Sequence, residues 1–354
     1  MTDLASRLAA GRGAIVRNQA FWGVVAIVAL LAINVVADPG YLSIGYNSQT
    51  GHLSGNLIDI LRAAAPILMI AVGMCLVVAT GGIDLSVGSI MVVAGAVSME
   101  LLRGMDGSTG DAALTLAIAL GIATALGAVN GVLVSVVGLQ PFISTLVMML
   151  AGRGIAKVIT GGQNTTAGND SFQWLANGYV VGFPVVFLLA MAIVALVALL
   201  VRRSALGLML EAIGMDARAS RLAGVKRRGL QLTVYSVSGL LAGIAGVFAT
   251  ASVMTVDVSR TGYQLELDAI LAVVIGGTSL AGGKFSIGGA VIGGLLIATL
   301  DKTVVFLGVP ASATPAFKAI VIVVLCLLQS ERVRSLFRHR RALRAQSQKE
   351  AVAA

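Results

Sequence analysis

Five carboxylates stand in or beside long apolar runs: Asp59, Asp84, Glu266, Asp268 and Asp301. An acid inside a bilayer is costly unless it faces water or a partner, so each is a candidate for carrying a proton or lining a polar path. A proton relay needs several such groups along one route. Asp59, Glu266, Asp268 and Asp301 each fall near the end of an apolar segment, and Lys302 beside Asp301 points to an interfacial position. Asp84 follows Gly81-Gly82 between two apolar runs. Two roles fit it. It can cap the helix that follows by accepting from backbone N–H groups near Val87, or it can fix a helix end that shapes a gate. Asn130, Gln140, Asn164 and Gln264 add neutral polar groups. Asp84, Asn130, Gln140, Gln264 and Asp268 are therefore candidates for a translocation path or gate, against the alternative of helix-packing and loop groups.

Covalent and metal chemistry find no support. A nucleotide-binding P-loop needs G-x-x-x-x-G-K-[ST]. The nearest attempt, Gly283-Lys284-Phe285, has Thr278 where the first glycine belongs and Phe285 where Ser or Thr belongs. No H-E-x-x-H, C-x-x-C or G-x-S-x-G occurs, so no catalytic residue and no metal ligand set is expected. Cys75 and Cys326 lie in apolar runs far in sequence from His52 and His339, and read as small buried packing groups.

These residues sit in a chain built for lipid. Of 354 residues, 57% are hydrophobic and only 12% charged, against about 25% charged in a soluble domain. That is too few charges to coat a soluble surface, and an all-α, polytopic membrane bundle follows. The 43 glycines suit close helix packing. The net charge of +9 is not read as a nucleic-acid footprint, because the cations cluster at segment edges on one side. Ten apolar segments are expected at 20–37, 57–80, 83–101, 113–136, 139–158, 181–201, 229–253, 267–281, 286–304 and 316–330, with a range of eight to ten crossings. The Gly-Gly pairs at 81–82 and 276–277 suggest broken or re-entrant helices at 83–101 and 267–281. The first segment reads as an uncleaved span, because it exceeds a signal peptide's apolar core and Val36-Ala37 is a poor cleavage site.

Charge sets the orientation. Three Lys/Arg lie in the tail 1–19, seven in 202–228 and seven in 331–354, which is 17 of 25. Ten crossings put all three regions on one side, so both termini and the central loop are expected in the cytoplasm. Arg62, Arg153, Lys157, Lys302 and Lys318 run against that trend. The domain plan is thus a tail, 1–19, a membrane domain, 20–330, and a basic tail, 331–354.

The loop 202–228 reads RRSALGLMLEAIGMDARASRLAGVKRR. Residues 205–223 can form one or two short helices, with Leu206, Met209, Leu210 and Ile213 on one side, Gly214 interrupting and Gly224 closing. Such a segment lies on anionic lipid or docks into another protein. Ala212, Ala219 and Ala223 favour docking, since small residues permit close approach. Gly81-Gly82-Ile83-Asp84-Leu85 is echoed by Gly276-Gly277-Thr278-Ser279-Leu280, either as an internal repeat or as chance in a Gly- and Leu-rich chain.

The run LEAIGMDARASRLAGVKRRGLQLTVYSVSGLLAGIAGV resembles the cytoplasmic loop of sugar-transporting ABC permeases of the ribose/galactofuranose class. Ala212, Gly214, Ala219, Ala223, Gly224 and Val225 match that pattern in place, while Asp216 stands for the common Asn and Ser220 for one Ala. CLVVATGGIDLSVGSIMVVAGAV (75–97) and LELDAILAVVIGGTSLAGGKFSIGGAVIGG (265–294) are similar to two further blocks of the family, in the same order. NLIDILRAAAPILMIAVGM and LVMMLAGRGIAKVITGGQ bring the likeness nearest to the galactofuranose permease subunit. The resemblance implies a non-enzymatic transport subunit of the bacterial inner membrane, importing a monosaccharide. It implies partners: cytoplasmic ATPase subunits, a periplasmic sugar-binding protein, and a second permease copy or paralogue. No cofactor is expected on this chain, ATP and Mg residing on the ATPase. Glu211, Ala212, Gly214, Asp216, Ala219, Ala223 and Gly224 become the expected ATPase-coupling residues. The rival readings are an ion-coupled secondary transporter that works alone, and an ABC permease for a branched-chain amino acid or nucleoside.

Overall fold

The computed structural model describes residues 19–47, 51–310 and 312–329. The tail 331–354 and nearly all of 1–19 lie outside the described residues, as does the side chain of Cys326. Among the described residues the chain is mostly helical, with three two-stranded antiparallel ribbons. In order it forms α1 (Gln19–Ala37), β1 (Gly45–Asn47), β2 (His52–Ser54), α2 (Asn56–Ala79), α3 (Val87–Arg103), α4 (Thr109–Val132), α5 (Pro141–Ile159), β3 (Thr165–Thr166), α6 (Asp170–Asn177), β4 (Tyr179–Val180), β5 (Phe183–Pro184), α7 (Val185–Arg203), α8 (Leu206–Met215), α9 (Ala217–Leu222), α10 (Arg227–Val253), β6 (Thr255–Val256), α11 (Leu265–Ile275), α12 (Ile287–Phe306) and α13 (Thr314–Gln329).

Each of the ten predicted apolar segments overlaps one helix. Among the described residues, seven of these helices are long and apolar enough to cross a membrane: α1, α2, α4 with its π-helical extension, α5, α7, α10 and α12. The other three fall short. α3 has 17 residues and α13 has 16. α11 has 11 residues, about 16 Å of helix against a hydrocarbon core of about 30 Å. It stops at Gly276, so the segment 267–281 is half helix and half loop.

α2 and α10 form the centre. α2 is buried on every side from Ile67 to Ala79. α10 packs along α2, α3 and α4, and α12 packs on α2. One close crossing is α4 on α10, where a Cβ at Gly127 would lie 2.9 Å from the Gly239 Cα and 2.4 Å from the Tyr235 carbonyl oxygen. Only backbone fits between them, which is the small-residue packing used where lipid gives no hydrophobic drive. Outward faces are apolar: Val28 and Ile33 on α1, Ile122 and Val129 on α4, Val147 and Leu150 on α5, and Leu196 and Leu199 on α7 are all exposed. Surfaces of this kind and extent are at home against acyl chains, not water.

The ribbons gather at one end. β1–β2 leads into α2, β3–β6 joins the exits of α5 and α10, and β4–β5 precedes α7. The same end explains four of the five cations that ran against the charge trend. Arg62 donates to Asn177 and to the Tyr179 hydroxyl. Arg153 donates to the Gly262 carbonyl, 3.0 Å. Lys302 pairs with Asp59, 2.7 Å. Lys318 bridges Asp268 and Asp301 at 2.9 and 2.7 Å. Their positive charge is neutralised or hydrogen-bonded within the fold.

Candidate functional site: the junction of the loop helices with two broken helices

At the end opposite the ribbons, two backbone breaks meet. α2 ends at Ala79, and Gly81 turns the chain with φ +80°. α11 ends at Ile275, and Gly277 turns it with φ +92°. The loop after α11 folds back so that the Gly283 N–H donates to the Ala79 carbonyl, 3.0 Å. The two glycine motifs that echo each other in sequence therefore mark two breaks joined by a hydrogen bond. α8 lies across this join. A Cβ on Gly214 would stand 2.1 Å from both the Ala79 carbonyl oxygen and the Gly283 nitrogen. No residue but glycine fits there without moving backbone. Gly282 in turn abuts the Gly214 carbonyl and Gly81.

The expectation that Gly214 interrupts the loop helix is corrected. α8 runs through Gly214 to Met215. The interruption is Asp216, whose extended backbone ends α8 and whose carboxylate caps α9, accepting from Arg218 N at 2.7 Å and Ala219 N at 3.0 Å. Gly224 does end the second helix region, with φ +84°. The inner side of α8 is Leu210 and Ile213, both buried, while Leu206 and Met209 of the predicted apolar side are exposed. Glu211 and Ala212 are half-buried, and Ala219 and Ala223 are open to solvent.

The backbone bonds from Ala219 and Arg218 hold the Asp216 carboxyl below the usual carboxylate range. A depressed folded pKa contributes stability above the unfolded pKa, and the contribution disappears as pH falls through the folded value. Asp216→Ala should therefore speed amide exchange of 217–223 at neutral pH. That difference from the parent should shrink in acid, below the ordinary carboxylate pKa. Equal exchange at neutral pH would contradict the capping role.

A buried polar cluster lies one layer above the junction. Asp84 accepts from Ser86 N at 3.0 Å, Ser86 Oγ at 2.5 Å and, across to α10, Ser238 Oγ at 2.8 Å. Asn130 of α4 donates to Ser86 Oγ, 2.8 Å, and Ser144 of α5 donates to Asn130 Oδ1, 3.3 Å. Asp84 thus holds a turn at Ser86, one residue earlier than the cap near Val87 that its sequence suggests, and ties the α2–α3 break to α10. Cys75 is buried and approaches Thr278 Oγ1 at 3.6 Å, joining α2 to the second break.

The five path candidates are not brought together. Asp84 and Asn130 share the cluster through Ser86. Gln140 is exposed at the start of α5, beside the loop helices. Gln264 is exposed at the opposite end with φ +63°, and Asp268 there is held by Lys318. Lys318→Gln would leave Asp268 and Asp301 without their shared cation. A loss on the order of 3 kcal/mol is expected, read as a lower unfolding temperature and partly restored by adding Asp301→Asn. No loss would contradict the pairing.

Sequence reasoning missed an outward apolar face. Leu208, Met215 and Leu222 are 74%, 74% and 91% exposed, although they belong to the most polar loop of the chain. Their spacing of seven is the available signal, hidden because it runs across the Asp216 break. It also missed Ser86, Ser144 and Ser238, which carry no distinctive pattern in a chain of small residues. Among the described residues, no group of three or more His, Cys, Asp or Glu is placed to hold a metal.

Comparison with known proteins agrees with this architecture. The family described as "Branched-chain amino acid transport system / permease component" matches residues 56–328. The chain is 52% identical to the fructose import permease protein of Bifidobacterium longum over 94% of each chain. It is 39% identical to the galactofuranose transporter permease protein of Escherichia coli over 89% of this chain and 90% of that one. With the ribose import permease protein of the same species it shares 38% identity over 87% and 92%. The fructose permease is nearer than the galactofuranose permease, which corrects the expectation drawn from 56–74 and 146–163. No solved structure matches the chain. A multi-pass helical protein with broken inner helices and this likeness along nearly its whole length belongs to the branched-chain amino acid transport system / permease component family.

Proposed function

We propose that the chain is the membrane subunit of a binding-protein-dependent ABC importer for a monosaccharide, worked by a partner ATPase docked on α8 and α9. The observation that carries this reading is the seat of Gly214 between the Ala79 carbonyl and Gly283. Motion of α8 there has no soft side chain to absorb it, so displacement passes directly to the ends of α2 and the α11–α12 loop. Exposed Leu208, Met215 and Leu222, together with exposed Ala219 and Ala223, offer an apolar surface for a protein groove. Glu211, Ala212, Gly214, Asp216, Ala219, Ala223 and Gly224 set the shape of this contact.

The sugar class comes from the relatives, whose names specify fructose, galactofuranose and ribose. Fructose heads the candidates because its permease is the more similar. An ion-coupled transporter working alone is the less favoured reading, since Asp59, Asp268 and Asp301 are each paired with a lysine. The family's description keeps a branched-chain amino acid as a second substrate class.

The orientation follows the charge pattern: α8 and α9 on the cytoplasmic side of a bacterial inner membrane, the ribbons toward a sugar-binding protein, both termini inside, with eight to ten crossings. A second permease copy or paralogue completes the pathway. Charge reversal at Glu211 and Asp216 should lower transport-coupled ATP hydrolysis while membrane insertion stays intact. Co-purification of the ATPase tests docking. It should persist with the parent chain and be lost with Leu208→Asp/Met215→Asp/Leu222→Asp. Undiminished capture by the triple variant would overturn this docking surface.

A further inference from the structure

Beside the loop helices a groove of about 940 Å³ opens between the α4–α5 turn and the start of α10. One wall is cationic: Arg221, Lys226, Arg227 and Arg228 line it, and no acidic residue does. None of the four makes an ion pair among the described residues. The other wall is apolar and faces outward, with Val136, Val137 and Leu139 all exposed. It continues onto Phe142 and Ile143 of α5, which are exposed as well.

Two further features point into this space. Ser135 lines the groove, is 9% exposed, and its hydroxyl is buried without a hydrogen-bond partner. A buried hydroxyl left unpaired is unfavourable, so a missing acceptor or donor is expected there. Ser135 sits in the five-residue π-helical turn Leu133–Val137 that ends α4, a backbone irregularity found mostly at functional sites. The amino ends of α5 and α10, 19 and 27 residues long, also border the groove, and helix amino ends favour anions.

We propose that this groove binds an anionic phospholipid, with its phosphate among Arg221, Lys226, Arg227, Arg228 and the Ser135 hydroxyl, and its acyl chains along Val136, Val137, Leu139 and Ile143. The apolar wall selects lipid over a soluble phosphate: an inorganic phosphate or phosphate ester fills the basic end and leaves that wall uncovered. Basic pockets between helices at the cytoplasmic edge of a membrane take acidic headgroups by the same balance. The lipid would bridge α4, α5 and α10 directly beside α9, so its occupancy bears on how freely the loop helices move. The inference rests on the membrane reading, not on the sugar or the ATPase.

The test is lipid retention by the purified chain, measured by native mass spectrometry after exchange into mixed micelles of phosphatidylglycerol and phosphatidylcholine. The parent should hold phosphatidylglycerol in preference to phosphatidylcholine. Arg221→Gln/Lys226→Gln/Arg227→Gln/Arg228→Gln should weaken that binding about tenfold or more, and Ser135→Ala, which removes only the hydroxyl, should weaken it by a smaller factor. Arg202→Gln/Arg203→Gln, at the end of α7 outside the groove, should bind as the parent does. Equal retention of the two lipids would overturn the proposal. So would equal loss in the Arg202/Arg203 variant, which means diffuse attraction, or displacement of the lipid by glycerol phosphate at matched concentration, which means a soluble anion is the ligand.

Discussion

Gly214→Val should abolish most sugar uptake by the assembled transporter while the chain still reaches the membrane. The added Cβ alone would fall 2.1 Å from two backbone atoms, the Ala79 oxygen and the Gly283 nitrogen. Neither can swing aside as a side chain could, and they are hydrogen-bonded partners across the join. α8 must lift, or the bond between the two breaks must open. Overpacking of this kind costs about 1–3 kcal/mol, which spread over a coupling step corresponds to roughly a five- to hundredfold loss of rate. Gly224→Ala is the useful contrast. Gly224 has nothing within 4 Å of its Cβ position but a φ of +84°, so its cost is local strain at the end of α9 with no clash against α2. Uptake and ATP hydrolysis measured together should show Gly214→Val uncoupled and Gly224→Ala only modestly impaired. Equal activity of Gly214→Val and the parent would remove the mechanical role of the seat.

The second large effect is expected at Asp84. Its two oxygens satisfy a backbone N–H and two hydroxyls in a fully buried site. Asp84→Ala deletes the acceptor and strands those donors away from water. Each stranded donor costs about 1–3 kcal/mol, so a loss on the order of 3 kcal/mol or more is expected, with a visibly lower unfolding temperature in detergent. Asp84→Asn keeps one carbonyl acceptor toward Ser86, and the Ser238 hydroxyl can rotate to accept from the new amide. It should lose less than half as much and retain transport. If Asp84→Asn were as stable as the parent yet inactive, the residue would be acting through its charge, and the structural account of the cluster would be wrong.

Much of this was legible in the sequence because apolar length is a strong signal. Each of the ten expected segments overlaps a helix, since a single apolar segment satisfies its own backbone inside lipid only as a helix. The loop was legible for the opposite reason: seven cations in 27 residues cannot enter the bilayer. Gly214 was found but misread. In an isolated helix glycine is a weak point, and only the backbone of Ala79 and Gly283, distant in sequence, turns it into a packing requirement. The path candidates lie apart in the fold for a similar reason. Gln140, Gln264 and Asp268 are polar residues near segment ends, and sequence position does not say which end of the bundle each occupies. Asp268 faces Lys318, 50 residues away, a pairing with no local trace. The outward stripe of Leu208, Met215 and Leu222 was concealed by the change of helix axis at Asp216.

Uptake of radiolabelled fructose into proteoliposomes tests the central claim most directly. Vesicles would contain this chain alone, or this chain with its permease partner, ATPase and binding protein, each with ATP enclosed. The account predicts accumulation only in the complete set, and none for the chain alone under any proton or sodium gradient. Gradient-driven accumulation by the chain alone would contradict it.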